Sequence, residues 1–81
     1  MKAGIRELYV FTKDHFEKDL NRISPSCVSP IIAVRKVVKN AMQEYIKNYC
    51  GKDTKIEDVF SQDDFLEVSN KIRDEIMNNE L

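Results

Sequence analysis

At 81 residues the chain is long enough for one domain with a modest core. Its formal net charge is −1, with 33% of residues charged and both signs interspersed, which excludes a polycation that coats nucleic acid and an acidic solvating tail. Two Gly and two Pro leave little room for disorder or for a turn-rich all-β fold. Lys, Asn and Ile are frequent and Trp is absent, the bias of an AT-rich genome such as that of a low-GC bacterium, a phage or another mobile element. No run of apolar residues is long enough to cross a bilayer, and the first seven residues lack the apolar stretch of a secretory signal. The expected compartment is the cytoplasm.

In the N-terminal segment, Ile5, Leu8, Tyr9, Thr12, Phe16, Leu20 and Ile23 recur at helical spacing and predict one helix over about 3–23. Val10 and Phe11 fall off that face. The run from Leu8 to Phe11 also has the composition of a strand, with Thr12 capping a later helix, but a lone strand in this chain has no pairing partner. On the helical reading Phe11 is an exposed contact. Ser24-Pro25 and Ser29-Pro30 then punctuate a loop, because the residue before proline is pushed out of the helical region. Read as phosphorylation sites, these Ser-Pro pairs compete with a simpler reading as a turn and a helix start.

The strongest signal is the stretch from Ser29 to Gly51, which predicts a helix over about 30–50. Ser29 is a favoured N-cap, Pro30 suits the first helical position, and Gly51 suits a left-handed stop. Ile31, Val34, Val38, Ala41, Met42, Tyr45, Ile46 and Tyr49 share a face, with Lys36, Asn40, Gln43 and Lys47 opposite. Cys27 and Cys50 flank this helix, about twenty residues and roughly 30 Å apart, too far for a disulfide. Both are expected as free thiols, and their spacing fits no zinc pattern.

Thr54 to Glu57 matches a capping box for a short helical turn near 55–60 that buries Ile56, Val59 and Phe60. Ser61-Gln62-Asp63-Asp64 is a second start signal, for a helix over about 62–78. Its core face is Phe65, Val68, Ile72 and Ile76. Leu66, Arg73 and Met77 form a narrower stripe beside it. The fold expected is therefore all-α: a single helical domain over 1–81, a small bundle of three principal helices plus one short turn. The core residues are expected to be Phe16, Leu20, Val34, Val38, Ala41, Tyr45, Phe60, Phe65, Ile72 and Ile76.

Charge is uneven along the chain. Residues 30–52 carry Arg35, Lys36, Lys39, Lys47 and Lys52 against Glu44 alone, while residues 53–81 carry nine acidic and three basic side chains. The basic helix and the acidic C-terminal third attract each other, which favours antiparallel packing or self-association into a homo-oligomer such as a homodimer.

Chemistry-bearing constellations are few. His15 is the only histidine, and Asp19 one turn on offers it a surface hydrogen bond rather than a catalytic dyad. The acids Asp53, Glu57, Asp58, Asp63, Asp64 and Glu67 lack the spacing of a calcium loop, and half of them sit in helix first turns, where the dipole explains them. The only glycines are Gly4 and Gly51, so there is no phosphate loop. No catalytic residue, cofactor or metal is expected, and the chain does not read as an enzyme.

The order of elements from Val37 to Ile76, with Asp63-Asp64-Phe65-Leu66 opening the last helix, is similar in outline to an acyl carrier protein. That resemblance implies a carrier serine in an Asp-Ser-Leu motif. Asp64 stands at the matching position, so no phosphopantetheine arm could be attached here. The likeness covers half the chain and matches generic small-bundle patterning. The segment from Tyr49 to Val59 also resembles a helix-turn-helix elbow, but its second helix is acidic and would repel phosphates. Neither likeness assigns a family.

The expectation is a non-enzymatic protein–protein interaction module, a small regulator, adaptor or inhibitor, that binds a protein partner through Phe11, Leu66, Arg73 and Met77. The alternative is a nucleic-acid-binding protein, as a dimer in one form, using Arg35, Lys36, Lys39 and Lys47 on the outer face of the central helix.

Overall fold

The computed structural model describes residues 4–24, 26, 29–51 and 53–78. Five helices follow in chain order: α1 (Ile5–His15), α2 (Glu17–Asn21), α3 (Pro30–Tyr49), α4 (Ile56–Val59) and α5 (Gln62–Met77). No strand occurs among the described residues, and the run from Leu8 to Phe11 is helical. The three main helices pack against one another as a small all-α bundle.

Most of the predicted punctuation marks a helix end. Pro30 opens α3, although the Ser29 side chain makes no capping bond. Gly51 ends it at φ +94°, a conformation that a Cβ would disfavour, and the Gly51 N–H donates to the Ile46 carbonyl at 2.9 Å. Ser61 and Asp64 form a reciprocal capping box at the start of α5, with Asp64 N to Ser61 Oγ at 3.1 Å and Ser61 N to Asp64 Oδ2 at 3.0 Å. Asp64, at the carrier-serine position, is thus the acidic partner of the Ser61 cap.

Two local expectations are corrected. The helix expected over 3–23 breaks at Phe16, whose φ of −125° and ψ of 24° lie outside the helical region. On an unbroken helix, the twelve residues from Leu8 to Leu20 would turn Leu20 about 120° away from Leu8. With the break at Phe16, Leu8 on α1 and Leu20 on α2 are both buried in one core. Thr12 precedes the bend and donates its hydroxyl to the Leu8 carbonyl at 2.7 Å, a back-bond of the kind that bends helices. The second correction concerns Thr54, which does not cap α4. Its hydroxyl donates to the Cys50 carbonyl at 2.8 Å and ties the connection to the end of α3, so α4 starts after Lys55.

The core runs through all five helices. Leu20, Val34, Val38, Ala41, Phe60, Ile72 and Ile76 are buried as expected, whereas Phe16, Tyr45 and Phe65 are half-buried against it. Leu8, Phe11, Ile23, Met42, Ile46, Val59 and Val68 complete the interior. Ser69 is buried on α5 and donates its hydroxyl to the Phe65 carbonyl at 2.7 Å. No helix among the described residues is long and apolar enough to cross a membrane. Cys50 is a half-buried free cysteine, and the expectation for Cys27 lies outside the described residues.

Candidate functional site

The four residues expected to bind a partner do not converge. Phe11 is 5% exposed, so its expected role as an exposed contact is corrected. The face drawn from the sequence was too narrow. α1 packs against both α3 and α5, so both flanks of its apolar stripe are covered. Phe11 serves the α3 side, edge-on to Tyr45 with ring centroids 5.3 Å apart. Tyr9 serves the α5 side, where its hydroxyl donates to the Glu75 carboxylate.

Leu66, Arg73 and Met77 do share one flank of α5. Each lies about half a helical turn from Glu75, which faces α1, so the stripe is on the far side from Phe11. Leu66 is half-buried. The Arg73 guanidinium is held by Asp74 Oδ1 at 3.0 Å, and Met77 is 48% exposed. Arg35, Lys36, Lys39 and Lys47 are all exposed on α3, and none takes part in an ion pair among the described residues.

Two of the three groups with shifted pKa values among the described residues, Tyr9 and Lys13, lie at the α1–α5 seam. Lys13 Nζ lies 3.1 Å from Glu75 Oε2 and donates to the Tyr9 hydroxyl at 3.1 Å. The Lys71 ammonium sits 4.6 Å from the centre of the Tyr9 ring. Burial, and then the bond to Glu75, push the Tyr9 hydroxyl above its ordinary pKa. The bond to Tyr9, and more weakly that to Glu75, push the Lys13 ammonium up against the opposing effect of burial. Both shifts favour the arrangement seen: a neutral phenol between an ammonium and a carboxylate.

A groove of about 580 Å³ lies between α1 and α3. Phe11 and Tyr45 line it, together with Val10, which is 46% exposed, and Tyr49, which is 66% exposed. The Tyr45 and Tyr49 rings are 4.9 Å apart, and His15 stacks on Phe11 at 4.0 Å. Glu7 and Asp14 lie along the same groove. Burial, and then the Glu7 carboxylate, push the Tyr45 hydroxyl up. The expected His15–Asp19 bond is not made. The helix breaks between them, and His15 Nδ1 sits 3.1 Å from the Phe11 carbonyl instead.

A second groove, of about 510 Å³, has Met42, Phe60 and Phe65 among its apolar lining, with Lys39 and Glu57 also lining it. The sequence places Tyr49 on the apolar face of α3 and Val10 off the core face of α1, but no local pattern links the two. Among the described residues no group of three or more His, Cys, Asp or Glu side chains could hold a metal ion. The chain matches no protein-family model, no curated protein and no solved structure.

Proposed function

We propose that this chain is a non-enzymatic protein-binding module, a small regulator, adaptor or inhibitor, that docks a protein partner through the α1–α3 groove. The observation that carries the reading is that exposed Tyr49 and Val10 line one groove together with the rings of Phe11 and Tyr45. A tyrosine two-thirds exposed beside a buried Phe offers large apolar contact area at low entropic cost, the residue chemistry that dominates interface centres. The Leu66–Met77 stripe is the weaker surface, because Leu66 is already half-buried and Arg73 is engaged by Asp74.

The test is affinity capture from host lysate with the intact chain, Tyr49→Ala and Met77→Glu. Loss of the captured protein with Tyr49→Ala, at unchanged melting temperature, supports the groove. Loss with Met77→Glu alone moves the docking surface to α5.

A second reading, nucleic-acid binding by α3, is favoured by the exposure of Arg35, Lys36, Lys39 and Lys47 without ion-pair partners among the described residues. Phosphate contacts would make affinity fall steeply with salt, and a Lys36→Glu/Lys39→Glu variant would lose it. Salt-insensitive binding that survives both substitutions removes this reading.

A further inference from the structure

We propose that the α1–α3 groove receives arginine side chains presented along one face of a helix of the protein partner. This rests on the protein-binding reading above and names the chemistry that the groove selects. Glu7 and Asp14 are seven residues apart on α1, so they fall on one line about 10 Å apart along its axis. Both are exposed, and neither takes part in an ion pair among the described residues. Val10 and Phe11 lie between them on the α1 wall, with Tyr45 and Tyr49 one turn apart on the α3 wall. The groove therefore combines aromatic rings with two carboxylates at a fixed interval.

A guanidinium suits both features. It is planar and weakly hydrated, so it can stack on a tyrosine while its N–H groups donate to a carboxylate. An ammonium gives up its water less readily and cannot stack in the same way. A purely apolar segment would bury the Glu7 and Asp14 charges without counter-charges, which is costly, and a phosphate backbone would be repelled by both. A partner helix with arginines at i and i+7 repeats the interval of about 10 Å between the carboxylates. The effect of Glu7 on the Tyr45 hydroxyl indicates that its charge reaches the α3 wall. Arg6 also lines the groove, and its charge opposes a basic partner.

The full chain is titrated with a blocked helical peptide carrying arginine at i and i+7, and with the same peptide carrying neutral citrulline at both positions. Binding is followed by the ring-proton shifts of Tyr45 and Tyr49. The arginine peptide is expected to saturate and the citrulline peptide to bind at least about tenfold more weakly. Glu7→Gln/Asp14→Asn should weaken the arginine peptide by about tenfold or more. Gln keeps an oxygen to accept the Gly4 N–H that Glu7 accepts at the start of α1, so helical circular dichroism and melting should hold. Arg6→Ala should bind as well as or better than the parent chain. The inference is overturned if the arginine peptide does not saturate, if citrulline binds equally, or if the double variant binds unchanged. If any of these occurs while Tyr49→Ala still abolishes capture of the native partner, the protein-binding reading stands and only the arginine chemistry falls.

Discussion

The two seams that α1 makes with its neighbours treat polarity in opposite ways. Against α5 it closes the contact with a phenol, an ammonium and a carboxylate that satisfy one another, and the Glu75 side chain is 13% exposed. Against α3 it closes the base of the contact with Phe11 and leaves the upper part open, with Tyr49 and Val10 in solvent. A satisfied polar seam fixes the register of two helices and leaves no group seeking a partner. An open aromatic seam contributes less to folding than it could and keeps apolar area available for association. One flank of α1 is thus a closed structural contact, and the other is the surface proposed for recognition.

The largest test of this division is Phe11→Ala. Phe11 belongs to the core as well as to the groove floor, so its truncation should cost about 3–5 kcal/mol, read by chemical denaturation. A cost below about 1 kcal/mol would mean that the α1–α3 seam is open to its base. Next is Glu75→Ala, which leaves the Tyr9 hydroxyl and the Lys13 ammonium without their shared acceptor. It should cost about 1–2 kcal/mol and leave partner capture unchanged. Loss of capture at unchanged stability would move recognition to the α5 side.

The polar seam also has a pH signature. Tyr9 and Lys13 both have pKa values raised in the folded chain, so the stability they contribute is full below about pH 10. It should be lost as pH rises through the raised values. Tyr9→Phe should flatten that alkaline decline in melting temperature, and an unchanged decline would place its origin elsewhere. The smallest expected effect is that of Tyr49→Ala on folding, below about 0.5 kcal/mol, because the side chain is mostly in solvent. If it destabilises as strongly as Glu75→Ala, the open seam is part of the fold rather than a surface held for a partner.

The sequence by itself determined the class, both ends of α3 and the start of α5. Pro30, Gly51 and the Ser61–Asp64 box act within a few residues, through fixed φ, permitted φ and local hydrogen bonds, and they mark helix ends in the folded chain. The buried stripe of Val34, Val38 and Ala41 was legible because these positions recur at one helical period. Tertiary structure decided how wide the buried face of α1 is. α1 packs against both α3 and α5, so Phe11, which lies off the stripe drawn from the sequence, is buried, and an uninterrupted 3–23 helix gives way to a break at Phe16. The candidate site was hidden for the same reason. Tyr45 and Tyr49 were legible as a pair one turn apart, but their meeting with Glu7, Val10 and Asp14 joins residues some forty positions away, which no local period encodes. Only the packing angle between α1 and α3 brings them to one groove.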